Sequence, residues 1–474
     1  MTEPPLVVDL DGTLLRSDLL LESGLDFLRD QPHRFFAVLR WLFQGKAALK
    51  YELARACELD ASVLPYNESV IDLIKAERER GRSVVLATAS HRLLADQVAR
   101  HLELFDEVLA TQDGVNLSAD AKRDALVQRF GIRGFDYVGN SRDDLPVWRA
   151  SRQAYVVNAT KGVERSARKT AAVVTVMLTE SAGLRDWLRA ARMHQWLKNL
   201  LVFVPLLAAH RQDELSLVVD ALTAFLCFGL CASSVYLLND LIDLRDDRHH
   251  QRKRTRPFAS GQLSIQAGLA AFPLLLIAAF AIALSALPLA FSAGLATYYA
   301  LTLAYSLSLK RRMVIDVIAL AGLYTLRVIV GALAVSVELS FWLLAFSMFI
   351  FLSLALVKRF AELFHVHATG ATTKARGRGY FAGDLQMIAA QGAASGYMAV
   401  MVMALYINDS HTAQLYRHPQ WIWMACPLLL TWISRVWMLA QRGLMNEDPV
   451  LFAVRDRISL VIGGLTAFVF WAAT

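Results

Sequence analysis

The chain has 474 residues, a hydrophobic content of 55% and a mean hydropathy of +0.38, which together exclude an ordinary soluble protein of this length. The net charge of +7 does not point to a nucleic-acid partner, because the basic residues cluster between apolar segments, where membrane orientation and phosphate binding both use them. Four scattered cysteines predict neither a disulfide framework nor a zinc site, and the first residues lack the pattern of a signal peptide.

The first predicted element is a short buried strand, Leu6–Val8, that runs into the sequence DLDGT, which begins at Asp9. Carboxylates two positions apart at the end of a strand, here Asp9 and Asp11, point to the same side. Such a pair, with a cation between its members, supplies the nucleophile and the acid/base that aspartyl-phosphate chemistry requires.

These residues resemble DxDGT, the first motif of the haloacid dehalogenase (HAD) superfamily of phosphatases, and later segments match the family's remaining motifs in order. The resemblance implies that Asp9 is the nucleophile and Asp11 the acid/base, with two further catalytic side chains on the phosphoryl group, Thr88 and Lys122. The implied Mg²⁺ ligands are Asp9, Asp11, Asn140 and Asp144. The family's motif GDSxxD has an aspartate where this chain has Asn140, so an active phosphatase and an inactive domain of the same fold both stay open.

Strands that alternate with helical stretches predict an α/β domain with a parallel, Rossmann-like sheet over residues 1–180. An insert at about 15–80 reads as the small helical cap that selects substrates in this family. Apolar residues crowd together in the insert: Phe35, Phe36, Val38, Leu39, Trp41 and Leu42. They either pack inside the cap or contact lipid.

Residues 181–196 are predicted to form an interfacial linker whose tryptophan and arginines suit the headgroup layer. From 197 to 474 the sequence predicts an all-α, polytopic membrane domain with about nine spans, most of them close to the length that a bilayer requires. The predicted spans lie near 197–211, 215–239, 263–285, 287–308, 314–335, 339–362, 386–407, 420–440 and 450–473.

Lysine and arginine concentrate in the links after the second, fourth, sixth and eighth predicted spans, the sixth link carrying Lys374, Arg376 and Arg378. The positive-inside rule therefore predicts a multi-pass protein of the cell (inner) membrane. Its N-terminal domain and both active sites would face the cytoplasm, and its C-terminus would lie outside.

An acidic stretch, NDLIDLRDD, begins at Asn239, directly after an uncharged apolar run. On a continuous helix, Asp240, Asp243 and Asp247 would share one face. Carboxylates near hydrocarbon are costly unless a cation lies between them, and Mg²⁺ accepts carboxylate, water and phosphate oxygens. The stretch therefore predicts a Mg²⁺ site, against the alternative of a polar loop that only orients the helices.

Residues from about 192 to 474 resemble the UbiA superfamily of intramembrane prenyltransferases, which carries NDxxDxxxD after its second helix. A cationic cluster that leads to a lone Asp316 stands where the family has a second aspartate-rich motif, and this arrangement suits two anionic reactants. The motifs RxxQWxKN, NDxxDxxxDxxH and an RPxASG-like segment further resemble the decaprenyl-phosphate phosphoribosyltransferases.

This resemblance implies that Mg²⁺ and the pyrophosphate of phosphoribosyl pyrophosphate (PRPP) are held by Asn239, Asp240, Asp243 and Asp247, of which Asp240 and Asp243 are catalytic. The implied substrate-binding and phosphate-binding side chains are Lys198, Asn239, Lys253, Arg254, Arg256, Tyr305, Lys310, Lys358 and Arg359. The alternatives are a salt bridge from Lys358 to Glu362 and an interfacial anchoring role for Tyr305. Further candidates near the last span are Asp448, Arg455 and Asp456.

The implied function is a bifunctional membrane enzyme. It would transfer 5-phosphoribosyl from PRPP to a polyprenyl phosphate and then remove the 5-phosphate in the N-terminal domain. The alternative is a prenyltransferase with a prenyl diphosphate donor and an aromatic or apolar acceptor, in which the HAD-like domain is regulatory or inactive. The expected partners are PRPP, a polyprenyl phosphate and the bilayer, without nucleic acid, and a homo-oligomer stays open.

Overall fold

The structure, a computed structural model, describes residues 3–112, 116–171, 174–177, 182–368, 379–409, 416–445 and 448–474. The chain forms two compact units: unit 1 comprises Met1–Ala191 and Tyr236–Phe272, and unit 2 comprises Arg192–Val235 and Pro273–Thr474. The predicted boundary at 180 and 181 lies outside the described residues, as do Lys374, Arg376 and Arg378. The domain limits 1–180, 181–196 and 197–474 stay predictions.

Unit 1 is built on a six-stranded parallel sheet with the strand order β3-β2-β1-β4-β5-β6, which confirms the predicted α/β fold. The strands are β1 (Leu6–Val8), β2 (Val84–His91), β3 (Glu107–Thr111), β4 (Asp136–Gly139), β5 (Ala154–Val157) and β6 (Val174–Met177). The central strand β1 is buried on both faces, since Leu6 and Val8 pack into one apolar cluster and Val7 into another. The loop after β1 therefore lies between the ends of β2 and β4.

Helices surround this sheet and form the predicted cap. They are α1 (Leu19–Asp30), α2 (Phe35–Phe43), α3 (Lys46–Ala56), α4 (Glu68–Glu79), α5 (Arg92–Leu102), α6 (Ala119–Phe130), α7 (Leu145–Ala150), α8 (Lys161–Thr170) and α9 (Leu184–Ala190). Helix α1 begins after Asp18, whose carboxylate accepts hydrogen bonds from the amides of Leu20 and Leu21. The helices α1, α2 and α3 share a small core of their own.

The rest of the chain is almost entirely helical. After a 3₁₀ segment, Met193–Phe203, the helices are α10 (Val204–Ala208), α11 (Leu215–Ile242), α12 (Leu244–His249), α13 (Ile265–Ala286), α14 (Leu289–Leu307), α15 (Ile315–Ala334), α16 (Phe341–Ala368), α17 (Leu385–Ile407), α18 (Ala425–Gln441), α19 (Pro449–Arg455) and α20 (Arg457–Ala473). Close packing in unit 2 depends on small residues, since a Cβ at Gly392 would lie 2.0 Å from the ring of Trp437.

Within the described part of the chain, six helical segments are long and apolar enough to cross a membrane, or seven if the bent pair α19 and α20 counts as one span. The predicted first span is instead a 3₁₀ segment followed by the short helix α10. Helix α14 forms as predicted but is not among the six segments. The last span is broken by an 81° bend at Asp456. A membrane domain is thus established, and the count of nine stays a prediction.

Candidate functional sites

The carboxylate of Asp9 lies at the carboxyl end of β1 in a buried group of charged and polar side chains. Lys122 Nζ on α6 is 2.7 Å from Asp9 Oδ1, 2.9 Å from the Tyr137 hydroxyl and 3.7 Å from Asp144 Oδ1. The Tyr137 hydroxyl in turn donates to Asp144 Oδ1 at 2.7 Å. The sheet topology therefore brings together residues that are far apart in the sequence, as the motif order predicts.

Asp11 faces a second set of donors at the same edge of the sheet. Its Oδ1 accepts the amide of Leu19 at 2.8 Å, and its Oδ2 accepts the hydroxyl of Ser90 at 2.6 Å. Thr88 is fully buried, and its hydroxyl oxygen accepts the amide of Ser90 at 2.9 Å. Asp11 is therefore tied both to the start of α1 in the cap and to β2.

Burial dominates the electrostatics of the two carboxylates. Loss of solvent raises the pKa of Asp9 to about 7, although the neighbouring Lys122 acts to lower it. Burial also raises the pKa of Asp11 to about 6. Lys122 therefore compensates the burial of the Asp9 carboxylate only in part. A Mg²⁺ ion would stabilise the ionised carboxylate further, as a Mg²⁺-dependent phosphoryl acceptor requires.

Asn140 packs against the tight turn that follows Asp11. Gly12 has a φ of +74°, and a Cβ there would lie 2.1 Å from Asn140 Nδ2. Asp144 Oδ2 accepts the amides of Asn140 and Ser141 at 3.0 and 2.9 Å. The amide at 140 thus occupies the position beside the DLDGT loop that the motif comparison assigns to a carboxylate.

The acidic stretch after α11 carries a second buried charge cluster. Arg256 Nη1 lies 3.0 Å from Asp240 Oδ1 and 2.6 Å from Asp247 Oδ2, and both aspartates are buried. Lys253 Nζ is 3.9 Å from Asp247 Oδ1. Burial raises the pKa of Asp247 to about 6, against the lowering effect of Arg256. The two carboxylates therefore converge on one cationic group at the end of a membrane-spanning helix.

The other residues of this stretch lie at helix ends and in a turn. Helix α11 ends at Ile242, so Asp243 lies in the one-residue break before α12 instead of on a continuous helical face. Asn239 lies in the last turn of α11, and the amide of Asp243 donates to its carbonyl at 2.9 Å. Arg254 lies in a single exposed 3₁₀ turn, Lys253–Thr255. The start of α12 thus sets the spacing between Asp240 and Asp247.

In unit 2, two predicted phosphate-binding lysines meet at one buried carboxylate. Lys198 Nζ binds Asp448 Oδ2, and Lys358 Nζ lies 3.4 Å from the same oxygen. The Tyr324 hydroxyl donates to Asp448 Oδ1 at 3.2 Å, and Arg327 Nε donates to Asn199 Oδ1 at 3.1 Å beside it. The two lysines carry more positive charge than one carboxylate neutralises, so the cluster keeps a net positive charge.

The other basic and aromatic candidates in unit 2 lie in different environments. Arg359 is buried, with its Nη2 2.6 Å from Asp316 Oδ2, and its Nη1 binds Glu362. The salt bridge to Glu362 is thus made by Arg359, whereas Lys358 turns to Asp448. Tyr305 packs against an apolar cluster, and Lys310 lies in the 3₁₀ turn Leu309–Arg311. Among the residues near the last span, Asp456 caps α20 and pairs with Arg435 at 2.7 Å.

Both acidic clusters suit Mg²⁺ better than a metal ion whose ligands must all be protein side chains. In the described ranges, no group of three or more His, Cys, Asp or Glu side chains is arranged to hold a metal ion. Mg²⁺ is commonly bound by one or two carboxylates, with waters and substrate phosphates in the remaining positions. Asp9 and Asp11 of the DLDGT loop, against which Asn140 packs, and the pair Asp240 and Asp247 are donor sets of that kind.

Sequence reasoning missed several residues of these clusters. Ser90 follows Thr88 by two positions on β2, so the period of a strand could have placed it on the same side. Lys50 of the cap donates to the Ala89 carbonyl at 2.6 Å and to Asn116 Oδ1 at 2.7 Å, and no local pattern marks it. Tyr324 and Arg327 look like ordinary residues of an apolar helix until Asp448 and Asn199 are found beside them.

The α/β domain has a site with aspartates and a lysine, and the membrane domain has carboxylates at a helix end. Together these features define a membrane-embedded enzyme of the transferase type with a hydrolase-like domain. Residues 200–455 match the model of the UbiA prenyltransferase family, and residues 6–149 match that of haloacid dehalogenase-like hydrolases. The chain belongs to the UbiA prenyltransferase family and carries a HAD-like domain at its N-terminus.

Three relatives cover different shares of the chain. An uncharacterized protein of Sinorhizobium fredii, y4nM, is 36% identical over 468 residues, which are 98% of this chain and 90% of that protein. The nodulation protein NoeC of Azorhizobium caulinodans is 38% identical over 275 residues, 57% of this chain and 88% of NoeC. The decaprenyl-phosphate phosphoribosyltransferase of Mycolicibacterium smegmatis is 29% identical over 292 residues, 60% of this chain and 90% of that enzyme. The fusion of the two domains is therefore shared with a full-length relative.

Proposed function

We propose that the protein transfers 5-phosphoribosyl from PRPP to a polyprenyl phosphate, releasing pyrophosphate, and that its HAD-like domain then removes the 5-phosphate of the lipid product. The observation that carries this proposal is the buried pair Asp240 and Asp247, which share Arg256 at the end of a membrane-spanning helix. Carboxylates in that position suit a metal-bound diphosphate. The named activity of the Mycolicibacterium smegmatis relative supports PRPP as the diphosphate donor.

The transferase step requires groups that hold a diphosphate and stabilise its departure. Both families use Mg²⁺ in general, and the ion would supply charge neutralisation on the leaving pyrophosphate. Asp240, Asp243 and Asp247 would hold it, together with Asn239. Arg256, Lys253 and Arg254 would bind the phosphate oxygens. As the bond from ribose C1 to the pyrophosphate oxygen breaks, these fixed charges stabilise the developing negative charge.

The acceptor would be bound as an anion by the lysine cluster of unit 2. Lys198 and Lys358 meet at Asp448 with an excess of positive charge, and Tyr324 adds a hydroxyl donor. A lipid phosphate is already ionised at neutral pH, so its oxygen can form the new bond to ribose C1 without a strong general base. The product is a polyprenyl-phosphoryl ribose 5-phosphate. Arg359, Tyr305 and Lys310 are further proposed substrate-binding side chains.

The hydrolase step would use the Asp9 cluster. An Asp9 oxygen attacks the 5-phosphorus, the bond from phosphorus to the ribose oxygen breaks, and Asp11 gives its proton to that oxygen. Water then attacks the aspartyl phosphate, Asp11 takes its proton, and inorganic phosphate leaves. Lys122 and Thr88 would bind the phosphoryl oxygens, and Asp9, Asp11, Asn140 and Asp144 would hold the Mg²⁺ ion. Removing the 5-phosphate would make the transfer hard to reverse.

The basic links between spans support a cytoplasmic position for both sites in the inner membrane. PRPP is a water-soluble donor, so a site open to the cytoplasm would have access to it.

Pyrophosphate release by the purified, full-length protein in lipid nanodiscs tests the transferase step. We expect release from PRPP only when a polyprenyl phosphate is present, and none from PRPP alone. Consumption of a prenyl diphosphate with an aromatic acceptor, while PRPP is ignored, would establish the alternative prenyltransferase reaction instead.

A further inference from the structure

Helix α2 of the cap presents large apolar side chains to its surroundings. Phe36 is 78% exposed and Phe43 is 90% exposed, and the two lie seven positions apart on one side of the helix. Phe35 and Leu42, also seven positions apart, are 48% and 50% exposed beside them. Four such side chains on one nine-residue helix form a contiguous apolar surface, not the scattered single residues that ordinary protein surfaces carry.

The opposite side of α2 packs inside the cap. Trp41 is buried, its ring centroid lies 5.2 Å from that of Phe27, and Ala37 and Val38 pack against the same cluster. The cap therefore has a core of its own, and the exposed side of α2 is not needed to build it. One part of the apolar cluster of the insert therefore packs inside the cap, and the other part faces outward.

In the sequence, the charged residues of α2 and of the segments that flank it all have one sign. No acidic residue occurs between Asp30 and Glu52, whereas Arg34, Arg40 and Lys46 lie there and are exposed. Lys50, the fourth basic residue of the segment, is directed to Ala89 and Asn116. Exposed aromatic side chains with surrounding lysine and arginine are typical of segments that lie in the headgroup layer of a membrane with anionic lipids.

Within unit 1, the cap is attached to the end of a membrane-spanning helix. Arg29 Nη2 on α1 lies 2.9 Å from Asp246 Oδ2, four residues beyond the end of α11 at Ile242. Helix α2 follows α1 directly and packs on it through Phe27 and Trp41. These contacts place the cap beside the end of α11, which is long and apolar enough to cross a membrane.

We propose that the apolar surface of α2, formed by Phe35, Phe36, Leu42 and Phe43, inserts into the interfacial layer of the bilayer, with Arg34, Arg40 and Lys46 on anionic headgroups. The HAD-like domain thereby gains a second membrane contact besides its covalent linkage to the spans. That contact would keep its active site next to a lipid-linked substrate. The last point rests on the proposed function; the membrane contact itself does not.

Photo-cross-linking in the full-length protein tests the contact directly. p-Benzoylphenylalanine is introduced in place of Phe36, of Phe43 or of Ile132, an exposed apolar residue of the same domain that serves as the matched control. Each protein is reconstituted in nanodiscs that contain phosphatidylglycerol, irradiated and digested, and phospholipid adducts are counted by mass spectrometry. We expect adducts at positions 36 and 43 at about ten times the level at 132.

A level equal to that at position 132 would overturn the proposal, and so would cross-links from positions 36 and 43 to a second copy of the chain.

The contribution of the basic residues is tested by an R40E and K46E double variant carrying the cross-linker at position 43. Its adduct yield should fall about fivefold in phosphatidylglycerol and stay unchanged in phosphatidylcholine alone. An unchanged yield in phosphatidylglycerol would contradict the role of the basic residues. Because adducts are measured without turnover, a failed transferase assay leaves this result interpretable.

Discussion

Arg248 and Glu22 form a buried, two-point ion pair between α12 and the cap helix α1. The guanidinium nitrogens Nη1 and Nη2 each lie 2.7 Å from one Glu22 oxygen, and the Arg248 Nε donates to the Ala259 carbonyl at 3.0 Å. The side chains are 5% and 9% exposed. Arg248 directly follows Asp247, while α1 begins at Leu19, whose amide binds Asp11. The pair therefore fixes an element that carries a candidate metal ligand to an element that contacts the hydrolase-like site.

Replacing Arg248 by alanine is expected to lower the free energy of unfolding of unit 1 by about 3 kcal/mol, because the buried Glu22 carboxylate loses both hydrogen bonds from the guanidinium group. Thermal unfolding of the purified protein in detergent measures this loss. The control is R29A, whose partner Asp246 is 64% exposed, so that the change should stay below about 1 kcal/mol. Equal effects of the two variants would show that the Glu22 pair is not a buried link.

Replacing Lys122 by alanine is expected to lower the rate of phosphate release by about a hundredfold, because Asp9 loses the cation that stabilises charge on the phosphoryl group. Phosphate release from the phosphorylated lipid product is measured beside pyrophosphate release from PRPP, which should stay unchanged. The control is K161A, an exposed lysine at the start of α8. A full rate in K122A would remove Lys122 from the proposed hydrolase site.

Replacing Asn140 by aspartate is expected to tighten Mg²⁺ binding in the hydrolase-like site by about tenfold, because a ligand charge is added without a change of shape. The isosteric side chain also keeps the close packing against Gly12. The Mg²⁺ dependence of phosphate release gives the half-saturating concentration. N158D adds the same charge at an exposed position of the same domain and should leave that concentration unchanged. No shift in N140D would mean that residue 140 does not face the metal.

Replacing Lys198 by methionine is expected to raise the KM for the polyprenyl phosphate by about tenfold or more, since one charge-assisted hydrogen bond to the lipid phosphate is lost. The KM for PRPP should change little. Initial rates at varied concentrations of each substrate separate the two effects. The control is R435M, which breaks the pair with Asp456 in the same unit and should leave both constants unchanged. A rise in the KM for PRPP alone would assign Lys198 to the donor.

The convergence of the HAD-like motif residues can be predicted from the sequence because the topology of the sheet is regular. In a parallel sheet the carboxyl ends of β1, β2 and β4 meet at one edge, so Asp9, Thr88 and the 140–144 segment converge once the strands are recognised. Lys50 could not be found in this way, because its position depends on how the cap folds back over the sheet. Its contact with Asn116 joins residues 66 positions apart with no shared motif.

The membrane domain is predicted less completely for a related reason. Hydropathy detects the long spans, but it does not distinguish a 3₁₀ segment such as Met193–Phe203 from a helix, nor does it reveal the 81° bend between α19 and α20. Hydropathy also does not reveal ion pairs between residues that are far apart in the sequence. Lys198 and Asp448 are 250 positions apart, and their contact follows only from the packing of the helices that carry them.

The most direct test of the central claim is mass spectrometry of the lipids formed from PRPP and a polyprenyl phosphate by the wild type, D9N and D243N. The wild type should form the dephosphorylated ribosyl lipid. D9N should accumulate the lipid that keeps its 5-phosphate, and D243N should form no sugar lipid at all. Sugar lipid made by D243N at the wild-type rate, or a wild-type protein that leaves PRPP unused, would contradict the account.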